Sequence, residues 1–130
     1  MLKEVFTIDG KGFNVLIPEG GITRSFEIVD SENAGRLRSG AMLRDIIGTY
    51  YNYSITIETN KLSASDYDEL YEIITEPVDS HTLTVPYGQH TLTFEAYITN
   101  GQDVLKKIDS SNKWTGLTIN FIAMKPQKKP

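Results

Sequence analysis

The sequence predicts a mainly β protein with one α-helix: an antiparallel β-sandwich or barrel flanked by that helix, with a long inter-strand loop at about 30–42. Three observations carry this. Apolar and polar residues alternate along most of the chain, the period of half-buried strands. Clusters of Gly, Pro and Asn interrupt the alternation at hairpin-length intervals. Once only, from Ser65 to Glu76, the period switches to that of a helix. At 130 residues the chain suits a single domain, 1–130, with one core.

The elements follow in order. Val5–Ile8 and Phe13–Ile17 read as strands joined by Asp9-Gly-Lys-Gly12, because Gly tolerates the positive φ of a tight turn. Pro18-Glu-Gly-Gly21 ends the second. Arg24–Val29 is a third, with Phe26 and Ile28 on one face. After the loop Asp30–Met42, residues 41–58 form one long strand, or two interrupted at Gly48.

Tyr67, Leu70, Tyr71 and Ile74 then make one apolar helical stripe. Ser63 or Ser65 caps the helix, Asp66, Asp68 and Glu69 face the positive end of its dipole, and Pro77 stops it. Strands resume at His81–Val85, turn at Pro86-Tyr-Gly88, and continue as Thr91–Ile98 with Leu92, Phe94, Ala96 and Ile98 on one face. Asn100-Gly101 reads as another turn. Val104–Ile108 and Lys113–Met124 pair across Asp109–Asn112, and the polar tail 125–130 frays.

Composition excludes several kinds of chemistry. Without cysteine there are no disulfides, thiol nucleophiles or thiolate metal sites, which fits a reducing compartment. The net charge of −4 argues against a dedicated nucleic-acid binder. No apolar run approaches the roughly 20 residues of a membrane helix, and Met1–Val5 is too polar to begin a secretory signal, so no membrane partner and cytosolic synthesis are expected.

No catalytic constellation stands out, and neither an enzyme nor a cofactor or metal is expected. Asp79-Ser-His81 has the residue types of a hydrolase site, but neighbours in a strand point to opposite faces and cannot converge. It reads as a solvated strand start, and His90 as a surface residue of a turn. The loop lacks the spacing of a phosphate-binding loop and does not lead into a helix. Tyr50, Tyr51 and Tyr53 read as cross-strand packing.

One distribution is less ordinary. All four arginines, Arg24, Arg36, Arg38 and Arg44, lie between residues 24 and 44. The stretch 58–79 carries Glu58, Asp66, Asp68, Glu69, Glu72, Glu76 and Asp79 against a lone Lys61. A cationic arm and an anionic helix can satisfy one another within a monomer or between copies. Between copies, two different surfaces meeting head-to-tail generate a ring or a filament. The expected subunit interface is therefore Arg36, Leu37, Arg38, Met42 and Arg44 of the arm with Asp68, Glu69 and Glu72 of the helix. The alternative is a small β-barrel binding module for a carbohydrate or peptide, with Tyr50, Tyr53, Tyr87 and Trp114 as its platform.

Several runs resemble small structural proteins of the tail region of siphophages and prophages of Gram-positive bacteria: 44–57 (RDIIGTYYNYSITI), the helix 66–71, 77–81 with 85–88, and 116–124 (GLTINFIAM). The resemblance spans roughly residues 24–127 and consists of packing and turn patterns. It implies a tail tube, distal tail or tail-completion-like protein, built on a sandwich or barrel flanked by a helix. The loop 30–42 would then be an arm reaching the next subunit of a homo-oligomeric ring. It further implies other tail proteins as partners, and a location in the bacterial cytoplasm during assembly and then in the virion tail. The length suits a tube or connector subunit better than a two-domain distal tail protein.

Overall fold

Alternation becomes a strand where one face finds something to pack against, and most of the expected strands form. The computed structural model describes residues 6–13, 15, 17–58, 62–108 and 112–130. Its elements are β1 (Thr7–Ile8), β2 (Lys11–Gly12), β3 (Ile22–Asp30), β4 (Gly35–Arg36), β5 (Met42–Leu43), β6 (Ile46–Ile57), α1 (Ala64–Ile74), β7 (His81–Tyr87), β8 (His90–Ile108) and β9 (Asn112–Ala123). Seven strands make one antiparallel sheet in the order β2-β1-β7-β8-β9-β6-β3, and β4 with β5 makes a separate small ribbon. This is the predicted class, a mainly β fold with one helix.

The sheet curls. The Tyr53 hydroxyl on β6 donates to the Pro86 carbonyl on β7 at 2.9 Å, although β8 and β9 lie between those strands. At a strand spacing of about 4.8 Å a flat sheet would hold them roughly 14 Å apart. The inner face carries Tyr53, Ile55 and Ile57 of β6, Leu117, Ile119 and Phe121 of β9, Ala96 of β8, Leu83 and Val85 of β7, and Ile8 of β1. Tyr67, Leu70 and Ile74 of α1 join the same core, with Phe6, Phe13 and Val15. Burying such apolar faces drives the curl.

Ser63 caps α1, its Oγ accepting from the Asp66 amide at 3.2 Å. The helix ends at Ile74, where the Thr75 amide donates to the Tyr71 carbonyl, three residues before Pro77. At the first hairpin the turn is Asp9-Gly10 at φ 52° and 80°, the doubly positive φ of a two-residue hairpin turn. Asn14 and Leu16 of the expected second strand, and Val5 of the first, lie outside the described residues.

Other expectations change. Asn100-Gly101 is no turn: it lies inside the 19-residue β8 as a bulge, with Ile98 paired to Phe121 and Gly101 already to Ile119. A Cβ on Gly101 would stand 2.9 Å from the Thr118 carbonyl oxygen, so the position admits glycine for closeness. Pro86 belongs to β7, tolerated because β1 ends its pairing at Thr84 and leaves the proline's outer edge open. The 41–58 stretch breaks at Arg44-Asp45, with Gly48 inside β6.

The tail does not simply fray. After a kink it continues the line of β9 along β6, with Lys128 bridged to Thr49 and the Gln127 side chain accepting from the Tyr51 amide at 2.8 Å. His81 is buried rather than solvated. Its Nδ1 lies 2.7 Å from an Asp9 carboxylate oxygen, while the other oxygen accepts from the Thr82 amide at 2.9 Å. Burial opposes ionisation of Asp9, but these two hydrogen bonds outweigh it and hold the carboxyl below its ordinary range.

Candidate functional site

Two features project from this frame, and they stand at opposite ends of it. The first is the arm. Beyond Thr49, β6 pairs with β3 alone, so residues 28–47 leave the curled sheet as a two-stranded ribbon ending in β4 and β5. The expected loop is thus itself folded. Ser31 N donates to the Asp45 carbonyl at 2.8 Å, and Leu37 N to the Ala41 carbonyl at 2.7 Å. Gly40, at φ 90°, closes the tip turn, where its amide donates to Leu37 O.

The arm exposes Phe26, Ile28, Leu37, Met42, Leu43, Ile46 and Ile47, with Phe26 at 69%. Phe26 and Ile28 share the inner face with Tyr51 and Thr49, but that face has outrun the core that would cover it. Single exposed apolar residues are ordinary; here they recur along one ribbon and its base.

The four arginines differ in what they already hold. Arg24 lies over the Tyr87 ring at 5.2 Å. Arg44 Nε donates to both Asp30 oxygens at 2.9 Å, and this pairing lowers the Asp30 pKa and raises that of Arg44. Arg36 Nη1 folds back onto the Gly40 carbonyl at 3.0 Å. Arg38, at the tip, has no hydrogen bond or ion pair among the described residues.

The second feature is a groove where α1 meets the far end of the β8–β9 hairpin. About 310 Å³ is enclosed by Tyr67, Asp68, Tyr71, Glu72, Asp103 and Trp114. A cleft of about 540 Å³ adjoins it, reaching Glu58, Lys106, Lys113 and Thr115. The helical period sets the wall: Tyr67 points into the core, while Tyr71, one turn on, is 38% exposed and its ring stacks 6.4 Å from that of Tyr67. The Tyr67 hydroxyl donates to Asp103 Oδ2. Burial, then the Asp103 hydrogen bond and charge, push the Tyr67 pKa well above its ordinary value, so the phenol stays a donor and Asp103 an acceptor.

On the helix, Glu69 is engaged by Lys11. Asp68 and Glu72 have no side-chain hydrogen bond or ion pair among the described residues.

The proposed aromatic platform is not assembled. Tyr53 is buried with its hydroxyl spent on Pro86, and Tyr50 lies on the opposite face of β6. Tyr87 instead meets Tyr51, with ring centroids 5.3 Å apart and hydroxyls at 3.1 Å, and His90 lies 5.5 Å from its ring. The hydrogen bond from Tyr87, then that from Lys128, lower the Tyr51 pKa. Trp114 belongs to the groove, at the other end of the molecule.

Sequence reasoning missed Tyr51, Tyr67, Tyr71 and Asp103 as surface-shaping residues. For Tyr51 the signal was present, since the period of two from Tyr53 puts Tyr51, not Tyr50, on the inner face. Asp103 had none, because the bulges of β8 set which way it faces. No protein-family model matches the chain, and no curated protein matches it.

Proposed function

We propose that this chain is a non-enzymatic structural subunit that assembles with copies of itself, of the kind found in phage and prophage tails, as a ring, tube or connector component. One observation carries the reading: the arm and the acidic helix lie at opposite ends of β6. The arm departs at Ile46, whereas Glu58, just past Ile57, lines the cleft beside α1. Twelve residues of strand at about 3.3 Å each separate them by roughly 35–40 Å. The cationic, apolar tip therefore cannot reach its own helix, and the complementary surface it can meet is on another copy. Such a contact joins two different surfaces and propagates head-to-tail. The prophage tail resemblance supplies the biological setting, with other tail proteins as further partners.

The experiment is solution mass against concentration and salt, with electron microscopy of the concentrated protein. Rings or tubes are expected, shrinking as ionic strength rises, since exposed charge pairs are screened beyond about 8–10 Å. Replacing residues 31–44 by a short Gly-rich turn should leave a folded monomer. A wild-type chain that stays monomeric to about millimolar concentration, roughly the affinity limit of a weak contact, sinks the assembly reading.

A second reading, a small binding module for a carbohydrate or peptide, is favoured by the groove itself, where Trp114 and Tyr71 stand among carboxylates. Saturable glycan binding lost in Trp114→Ala would support it.

A further inference from the structure

Resting on the assembly reading, we infer that the groove between α1 and the β8–β9 hairpin is the receptor for the arm tip of a second copy. Arg38 is the group it takes, seated between Asp68 and Glu72 and against the rings of Tyr71 and Trp114.

Elimination narrows both sides to a few atoms. Of the arginines, Arg24, Arg36 and Arg44 are each committed within their own chain, which leaves Arg38. Of the carboxylates lining the groove, Asp68 and Glu72 of α1 have no side-chain partner among the described residues, while Asp103 of β8 accepts from Tyr67. Among the described residues lining it, the groove holds carboxylates and no cation, the reverse of the tip. Lys106 and Lys113 line the adjoining cleft instead, so the attraction is confined to the α1 side and orients the incoming arm.

The chemistry of the walls selects arginine. A guanidinium is planar, forks to carboxylates and lies flat on aromatic rings, and it is more weakly hydrated than an ammonium. Leu37, beside Arg38 and 51% exposed, would cover apolar edge of Tyr71 as the tip seats. Arginine and aromatic side chains in a desolvated pocket are the groups that dominate protein contacts. Preorganisation helps as well: the tip is already held by the Leu37–Ala41 and Gly40–Leu37 backbone hydrogen bonds, so docking orders little new chain.

Two measurements test this on the full-length chain. The first titrates a synthetic hairpin peptide of residues 34–43 into the protein and follows the fluorescence of Trp114, the one tryptophan of the chain. A saturable change is expected, weakened roughly tenfold or more by Glu72→Arg in the protein or Arg38→Glu in the peptide. Combining those two reversals should restore binding.

The second measures solution mass for Arg38→Glu, Glu72→Arg and the chain carrying both. The single variants should lose mass and the double variant regain it. An assembly whose mass ignores both single variants, or a peptide that leaves Trp114 unchanged, overturns the groove as receptor while leaving self-assembly standing. A monomeric wild type that nevertheless binds the peptide with the predicted charge dependence upholds the receptor and overturns the assembly reading instead.

Discussion

The Asp9–His81 pair shows one residue tying together distant parts of the chain. Asp9 sits in a tight turn at positive φ and uses both carboxylate oxygens on β7, closing the first hairpin onto the sheet. Its pKa is lowered in the fold, so its stabilisation is present above the unfolded value of about 3.9 and is lost as pH falls through the lower folded value. Asp9→Asn keeps a residue that accepts the left-handed turn but removes the charge. Melting curves should show the variant less stable than wild type near neutrality, with the two converging as pH falls through the folded value. A constant gap across that range would mean the carboxylate's charge contributes nothing. His81 could not be read this way from sequence: its neighbours Asp79 and Ser80 suggest a wet surface, and its partner lies 72 residues away.

Among the elements, α1 separates packing from surface within one turn. Leu70→Ala removes a fully buried side chain and should cost roughly 2–5 kcal/mol by chemical denaturation. Tyr71→Ala should cost far less stability, and its effect should appear in solution mass. The C-terminal tail makes a second case. A Cβ on Gly48 would fall 2.5 Å from both the Lys128 carbonyl oxygen and Pro126 Cβ. Gly48→Ala should therefore push the tail off β6, seen as faster hydrogen exchange at Thr49 and Tyr51 and faster tryptic cleavage after Lys128. Unchanged exchange would show that the tail does not depend on that contact.

These elements also show what the sequence makes legible. The helix, its Ser63 cap and the inner faces of β6, β7 and β9 follow from local period and propensity, so they can be read directly. Pairing irregularities cannot. Asn100-Gly101 has turn chemistry, yet the strand continues because β9 pairs on both sides of it and absorbs the extra residue as a bulge. The tail's position depends on the space left by Gly48, a tertiary fact invisible in a Pro- and Lys-rich run. The charge segregation between arm and helix was legible. What it required, which arginine and which carboxylates were free, needed the partners of each.

At the scale of the molecule, the curled sheet buries one continuous core and leaves β3 to run past it as the arm's base. That base is long, exposed on both faces and apolar on the inner one. Phe26→Lys, at the centre of the uncovered inner face, should leave the melting temperature nearly unchanged because Phe26 packs on little. It should lower the tendency to associate, measured by light scattering against concentration. A large loss of stability would show instead that this face is part of the core.

The tip and the groove occupy opposite poles of one strand, and this gives any stack of copies a polarity. One terminal subunit would present a vacant groove and the other a bare tip, so growth at the two extremities need not be equivalent. A chain with the groove intact and the tip disabled would add at one extremity and block further addition there. Small amounts of Arg38→Glu mixed into wild type should then shorten the polymers more than in proportion to the fraction added.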